Sequence, residues 1–187
     1  MINEQYFHKF PELKTPRLLL RKQELKDAPH LQRLRSNEQV MRYMDSNKHH
    51  DIETSEAFIN RNLKSYEKKN GFFWVITAAA SGNYMGDIIL RKIDRTNARA
   101  EIGYTLHPDY WGHGYMKEAM RAVISFGFYE LGLHSIEANI NPAWIFRTKL
   151  TPLRSPFRYL SFRRMLTPLE NKKSWLEKLF RSMLTPL

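Results

Sequence analysis

The sequence predicts a mixed α/β or α+β domain in which helices flank a central, mostly antiparallel sheet. Three observations along the chain predict this fold class. The first is one strand followed by two amphipathic helices, and the second is a set of three short strands joined by tight turns. The third is a glycine loop followed by a helix and a strand. With 187 residues, 42% of them hydrophobic, the chain is long enough for one such domain with a sizeable core.

The first half of the pattern can be followed element by element. Residues 17–21 form a short apolar run after Pro16 and are typical of a strand. Asp27 can cap a helix with apolar residues at helical spacing, and residues 53–68 predict a second helix. Two antiparallel strands are expected next, at residues 72–79 and 84–92, bounded by the turn signals Asn70-Gly71 and Ser81-Gly82-Asn83.

The second half ends in a helix and a strand. Residues 99–107 alternate apolar with polar or small side chains, which is typical of a half-buried strand. A long helix follows, with apolar residues from Met116 to Leu131 at i, i+3, i+4 and i+7 spacing, and Gly132 ends it. Residues 135–140 predict the last strand.

The composition excludes several classes of protein. The chain has no cysteine, which excludes disulfides, thiolate catalysis and Cys-ligated metal centres, and we expect no metal site. No apolar run approaches the roughly 20 residues of a membrane helix, and residues 1–10 lack the apolar core of a signal peptide. We therefore expect a cytoplasmic protein with no membrane partner.

The charge is unevenly distributed. The net charge of +11 is compatible with nucleic acid, a membrane surface or a polyphosphate-bearing cofactor as a partner. Residues 1–143 carry 20 basic and 17 acidic side chains, whereas residues 144–187 carry 10 basic and 2 acidic ones. Most of the excess therefore belongs to the last 44 residues.

This basic tail contains a threefold repeat. Copies at residues 146–153, 162–169 and 180–187 each run from Phe-Arg to Thr-Pro-Leu, at offsets of 16 and 18 residues. Because proline disfavours helix in the residue before it, we expect short basic helices or turns broken at each Thr-Pro. The tail is either an arm that binds an anionic surface or, as we favour, a duplicated segment grafted onto a truncated domain.

The most informative motif is the loop Trp111-Gly112-His113-Gly114-Tyr115-Met116 between a strand and a helix. Glycines allow a ligand to approach the backbone, and the helix start offers unpaired N–H groups to a phosphate. The dinucleotide fingerprint fails because Lys117 stands at its last glycine position, and the Walker pattern also fails. From spacing alone, the loop is an anion cradle of unspecified type.

Residues 100–119, which contain this loop, resemble the GNAT acetyltransferases, and in particular the Rim-type group that acetylates the N-termini of ribosomal proteins. Residues 15–21 resemble the group's first strand, and Gly86-Asp87-Ile88 and residues 136–142 resemble two later strands. The match is continuous over about residues 13–143. It implies a GNAT domain at residues 1–143 and a separate basic tail at residues 144–187.

The resemblance implies acetyl-CoA as cosubstrate. The family's cofactor loop, Gln/Arg-x-x-Gly-x-Gly/Ala, has its defining positions at Trp111, Gly114 and Met116 of this chain. By resemblance, the pyrophosphate-binding segment comprises Trp111, Gly112, His113, Gly114, Tyr115, Met116 and Lys117, acting through backbone N–H groups. We expect the His113 side chain itself to be exposed.

The resemblance also suggests catalytic residues. Acetyl transfer needs a base that takes a proton from the amine, a donor to the thioester oxygen and a proton source for the leaving thiolate. Glu137 lies where some N-terminal acetyltransferases keep a catalytic glutamate, and Glu101 lies in the recurrent Glu-Ile-Gly-Tyr strand. For both, an ordinary surface or ion-paired residue is the alternative.

After residue 143 the chain departs from the family. Its last motif has a displaced echo at residues 170–180, where Asn171 would contact CoA and Ser174 would serve the thiolate. Residues 144–169 then correspond to an insertion, and the final strands are missing or replaced. We expect this disruption to weaken or abolish the activity.

Three functions remain open from the sequence. The leading one is an acetyl-CoA-dependent N-acetyltransferase acting on a protein N-terminal α-amine. The same fold could instead acetylate a small amine such as a polyamine or an aminoglycoside. A non-catalytic protein that binds RNA or another polyanion through the basic, aromatic tail is the third.

Overall fold

A seven-stranded sheet forms the centre of the protein, and its strands lie side by side in chain order. The computed structural model describes residues 1–42, 44, 46–140 and 158–163. All neighbouring strands are antiparallel except β5 and β6, which are parallel. The strands are Leu13–Lys14 (β1), Leu18–Lys22 (β2), Gly71–Ala78 (β3), Tyr84–Asp94 (β4), Arg99–Leu106 (β5), Ser135–Ile140 (β6) and Arg158–Arg163 (β7).

Among the described residues, four α-helices connect the strands. They are Ala28–Ser36 (α1), Glu38–Met41 (α2), Ile52–Glu67 (α3) and Tyr115–Ser125 (α4). The first three lie between β2 and β3, and α4 makes the crossover that a parallel pair requires, here from β5 to β6. Among the described residues, no helix is long and apolar enough to span a bilayer.

The two faces of the sheet bury different side chains. The apolar residues of α4 pack with alternate residues of β2, β3 and β4, among which Leu18, Leu20 and Trp74 are fully buried. The Trp74 indole N–H donates to the Pro11 carbonyl at 2.7 Å, and this bond ties the N-terminal segment to the core. A second apolar cluster on α1 and α3 includes Leu31 and Ile59.

The elements predicted for residues 17–140 are present, with local differences. Asp27 precedes α1 as expected, but its carboxylate accepts hydrogen bonds from Arg21 (2.9 and 2.6 Å) and from the Glu24 N–H (2.9 Å). The long helix changes at Phe126 into a π-helical turn, Phe126–Glu130, with Leu131 N bonded to the Phe126 carbonyl at 2.9 Å. Gly132, at φ +86°, follows the helix as predicted.

The described part of the tail differs from its sequence prediction. Residues 158–163, where short basic helices or turns were expected, form β7 and pair with β6 along its whole length, from Ser135 to Ile140. The outer edge of β6 presents backbone N–H and C=O groups that need partners, and β7 supplies them. Local repeat and proline patterns carry no information about such an edge, and for this reason the prediction was wrong here.

We expect proline substitutions in β7 to test its pairing. Residues of an antiparallel pair alternate between hydrogen-bonded and non-bonded positions, so only one of the neighbours Leu160 and Ser161 donates its N–H to β6. One of Leu160→Pro and Ser161→Pro should therefore lower the free energy of unfolding by about 1–3 kcal/mol more than the other. Urea denaturation measures this, with Leu160→Ala and Ser161→Ala as controls for side-chain loss. Equal effects of the two prolines would contradict the pairing.

Candidate active site

The sheet opens between β5 and β6. The parallel ladder joins residues 99–102 to residues 135–138, and β5 then continues to Leu106. On the other side of β5, pairing with β4 reaches Leu106. Beyond Ala138, β6 keeps only its pairing with β7. Within the described residues, the stretch 103–106 therefore has no partner on its β6 side. We refer to the opening that this leaves beside residues 103–106 as the gap between β5 and β6.

The predicted glycine loop lies just beyond this gap. It follows a short 3-10 turn, Pro108–Tyr110, and ends where α4 begins at Tyr115. Gly112 and Gly114 both have φ +76°, a conformation that costs a residue with a side chain about 1–2 kcal/mol. Gly114 precedes α4 and has no side chain with which to cap it. The N–H groups of the first turn are thus available to an anion, and the helix dipole favours one there.

An ion pair to the segment that leads into β2 holds the loop in place. Glu118, in the first turn of α4, accepts from Thr15 Oγ1 (2.6 Å), Arg17 N (3.0 Å) and Arg17 Nε (2.7 Å). Arg17 Nη1 also donates to the His113 carbonyl at 3.1 Å, and its guanidinium lies 4.4 Å from the centre of the Tyr115 ring. Partial burial raises the pKa of Glu118, but these hydrogen bonds and the Arg17 charge outweigh it, and the pKa lies below its ordinary value.

The side chains of the loop contact the protein more than the space in front of it. Trp111 is half-buried and donates its indole N–H to the Leu106 carbonyl at 2.8 Å. Met116 belongs to the core. His113 is exposed, as expected, and its ring stacks on Tyr115, with 5.9 Å between centroids. Any ligand in front of the loop would therefore meet mainly backbone groups from Gly112 onward, including Lys117 in the first turn of α4.

The two glutamates suggested for catalysis lie next to each other on adjacent strands. Glu101 and Glu137 are register partners across β5 and β6, one pair before the ladder ends. Glu101 binds Arg91, and its carboxylate lies 2.7 Å from Lys92 Nζ. Burial raises the pKa of Glu101, but hydrogen bonds from Lys92 and Arg91 leave it below its ordinary value. Glu137 is half-buried.

Two of the predicted site residues, Asn171 and Ser174, lie outside the described residues, so their roles stay predictions. The sequence analysis missed the clamp between Glu118 and Arg17, whose partners are 101 residues apart. Glu118 lies in the first turn of α4, where glutamate is common because it interacts favourably with the helix dipole. The sequence therefore gave no reason to expect a distant partner for it.

Comparisons with known proteins agree with this architecture. A family model for the acetyltransferase (GNAT) domain matches residues 17–143. The uncharacterized N-acetyltransferase p20 of Bacillus licheniformis is 37% identical over 131 residues, which cover 70% of this chain and 73% of that protein. The chain therefore belongs to the GNAT acetyltransferase family.

Two solved structures are similar to the fold. A GNAT-family acetyltransferase from Bacillus anthracis has a TM-score of 0.62 at 29% identity, covering 71% of this chain and 75% of that one. A putative ribosomal-protein-serine acetyltransferase from Vibrio cholerae has a TM-score of 0.68 at 22% identity, covering 83% and 98%. GNAT enzymes use acetyl-CoA, and the free helix start, the open glycine loop and the gap between β5 and β6 fit it.

We expect the clamp to stabilise the fold in a pH-dependent way. Glu118→Gln should lower the free energy of unfolding at pH 7 by about 1–2 kcal/mol, because it removes the charge from three hydrogen bonds. The folded-state pKa is depressed below the ordinary 4.5, so the stabilisation is complete above 4.5 and is lost as the pH falls through the folded-state pKa. Urea denaturation at several pH values measures it.

The control for this prediction is Glu56→Gln, at an exposed position of α3. It should change stability by less than about 0.5 kcal/mol at every pH. A difference between wild type and Glu118→Gln that is as large at pH 3 as at pH 7 would contradict the ion pair.

Proposed function

We propose that this acetyltransferase moves the acetyl group of acetyl-CoA to the α-amine of a protein N-terminus. The observation that carries the proposal is the open glycine loop at the uncapped start of α4, just beyond the gap between β5 and β6, with Glu137 on the strand that borders it. The choice of an α-amine is supported by the resemblance of residues 100–119 to the Rim-type group. A cytoplasmic location remains a prediction that fits this acceptor.

The backbone from Gly112 to Lys117 would hold the pyrophosphate of acetyl-CoA. Gly112 and Gly114 are exposed, and a Cβ added at Gly112 would meet nothing within 4 Å, so the approach to the backbone is unobstructed. The helix dipole and the first-turn N–H groups supply the positive potential that a lysine or arginine provides elsewhere. A contact from Asn171 to the CoA arm is an additional expectation from the resemblance.

The chemistry needs three contributions from the chain. Glu137 would take a proton from the ammonium, directly or through water, so that the neutral nitrogen can attack the acetyl carbon. A backbone N–H of the unpaired stretch 103–106 would donate to the thioester oxygen as negative charge develops there. The C–N bond forms, the C–S bond breaks, and Ser174 is the proposed proton source for the thiolate. The second proton of the attacking nitrogen then returns to Ser174 through water, so that the products are the amide and the CoA thiol. Glu101, neutralised by Arg91 and Lys92, would order the substrate or only the sheet.

The tail adds one further element to the proposal. β7 lies inside the segment predicted to be an insertion, so part of that segment completes the sheet beside β6. The weakened activity expected from a disrupted last motif stays a prediction, as does the domain boundary after residue 143.

We expect substitution at the glycine loop to weaken acetyl-CoA binding specifically. Gly112→Ala places a methyl group in front of the loop and should lower acetyl-CoA affinity by about tenfold, which corresponds to about 1.4 kcal/mol. Gly82→Ala is a matched control. Gly82 has φ +72° and, like Gly112, no neighbour within 4 Å of an added Cβ, but it lies in the turn between β3 and β4. Isothermal titration calorimetry measures the affinities.

Both glycine variants should lose about 1–2 kcal/mol of stability from backbone strain, and only Gly112→Ala should lose affinity. Equal acetyl-CoA affinities in the two variants would show that the ligand does not approach the loop closely.

The acceptor is tested with the whole chain, acetyl-CoA and two synthetic peptides of the same sequence, each with one internal lysine. The peptide with a free N-terminus should gain one acetyl group on its α-amine, read by mass spectrometry with fragmentation. The peptide with a blocked N-terminus should gain none. Acetylation of the lysine in both peptides would overturn the α-amine assignment.

The same assay tests the base. Glu137→Gln should lower kcat by about 10²–10⁴-fold and leave acetyl-CoA affinity unchanged, because the carboxylate acts on the amine proton. Glu56→Gln should turn over like wild type. Undiminished kcat in Glu137→Gln would remove Glu137 from the mechanism.

A further inference from the structure

A group of buried and half-buried polar side chains lies between α1 and the sheet, away from the glycine loop. Its members are Arg35 of α1, Tyr84 and Asp87 of β4, and Thr105 of β5. Arg35 and Asp87 are each 4% exposed and Thr105 is 5% exposed. Asp87 and Thr105 are register partners, so their side chains lie on the same face of the sheet. We refer to these four residues as the α1 cluster.

The α1 cluster is poorly satisfied by its own contacts. Four of its buried atoms have no hydrogen-bond partner among the described residues: Arg35 Nε, Tyr84 Oη, Asp87 Oδ2 and Thr105 Oγ1. Arg35 Nη2 lies 3.7 Å from Asp87 Oδ2, which is too far for a hydrogen bond. An unpaired buried polar group costs about 1–3 kcal/mol, so four of them together favour a ligand or water that pairs them.

The Arg35 side chain is held in position by its other contacts. Its guanidinium lies 4.3 Å from the centre of the Phe58 ring, and its Nη1 lies 3.5 Å from Ser46 Oγ. Burial raises the pKa of Asp87, and the Arg35 charge and the polar side chains of Thr105 and Arg35 beside it oppose that shift. The unpaired donor and the unpaired acceptor are thus fixed next to each other rather than free to rotate away.

The cluster adjoins the gap in which acetyl transfer is proposed. Thr105 belongs to the stretch of β5 that has no β6 partner among the described residues. Asp87 lies on the next strand, directly opposite Thr105. On the outer side, the exposed His30 stacks on the Tyr84 ring, with 5.5 Å between centroids, so the cluster lies one side chain below the surface.

The charges around the cluster balance. Arg35 faces Asp87, and the neighbouring Arg21 binds Asp27 through two hydrogen bonds of 2.9 and 2.6 Å. A site with no net negative charge does not attract a polycation such as a polyamine. It suits a ligand that brings both a donor and an acceptor.

We propose that the α1 cluster is the acceptor subsite and that it selects an α-amino group next to a carbonyl over a simple alkylamine. Asp87 Oδ2 and Thr105 Oγ1 can accept two N–H bonds of an ammonium, which leaves its third hydrogen for Glu137. Arg35 Nε–H and the Tyr84 hydroxyl can donate to the adjacent carbonyl. A peptide N-terminus carries both groups, whereas a polyamine lacks the carbonyl. This inference rests on the proposed function and specifies its acceptor.

Direct binding of two small probes to the whole chain tests the proposal. Alaninamide has an α-amine beside a carbonyl, and isopropylamine has the same carbon branching without the carbonyl. With acetyl-CoA absent, NMR titration of protein with ¹⁵N-labelled arginine should show alaninamide binding at least about tenfold more tightly and shifting the Arg35 Nε–H signal. Equal affinities, or no binding of either probe, would overturn the proposal.

Three variants separate the roles of the cluster residues. Asp87→Asn should weaken both probes by about tenfold, and Arg35→Lys should abolish the preference for alaninamide because lysine has no Nε–H fork. Arg61→Lys is the matched control. Arg61 also lies against the Phe58 ring, at 5.0 Å, but is exposed and outside the cluster, so it should leave both affinities unchanged.

Tyr84→Phe keeps the proposal testable if the other variants fail to fold. It removes a hydroxyl that has no partner in the described structure, so stability should be maintained or rise while alaninamide binding weakens several-fold. A loss of stability with unchanged alaninamide binding would show that Oη serves the fold through water, and would overturn the proposal.

The outcomes also separate this inference from the proposed function. If the chain acetylates peptide α-amines while Asp87→Asn and Tyr84→Phe leave the KM for the peptide unchanged, the subsite is wrong and the function stands. If alaninamide binds with the expected preference but no acetyl transfer occurs, the subsite stands and the function is wrong.

Discussion

The parallel pairing of β5 with β6 lasts for only four residue pairs, and the site is built around the point where it ends. A parallel neighbour requires a crossover connection, and α4 provides it. The start of α4 must then lie just past the end of β5, where the two strands separate. One topological requirement therefore brings free strand backbone, a helix N-terminus and the connecting loop together at a single edge of the sheet.

Backbone geometry rather than side-chain charge prepares this edge for an anion. Gly112 and Gly114 adopt left-handed conformations that expose the loop backbone, and Glu118 anchors the first turn of α4 to Thr15 and Arg17 of the segment leading into β2. Arg17 is itself neutralised by Glu118. This agrees with residues 1–143 being nearly balanced in charge, since phosphate can be held by amide dipoles without an excess of cations.

On the α1 side of β4 and β5, the polar side chains of the α1 cluster are buried or half-buried but incompletely hydrogen-bonded. Apolar residues would fill the space between α1 and the sheet more favourably than Arg35 and Asp87 do, because desolvation of two charges outweighs a loose ion pair. Such unfavourable groups persist where they serve a ligand, and functional sites are where local energetic rules are most often broken. The cluster and the glycine loop approach the gap from different directions, as a two-substrate transfer requires.

The sequence by itself determined the order and type of most elements, because periodicity and turn residues report interactions between close neighbours in the chain. It placed α3 within one residue at each end and located the glycine loop at the start of a helix. Only the tertiary structure decided the pairing of β7 with β6, the clamp between Arg17 and Glu118, and the meeting of Arg35 with Asp87. Each of these joins residues far apart in the chain, and the path of the chain that brings them together leaves no mark in local composition or spacing.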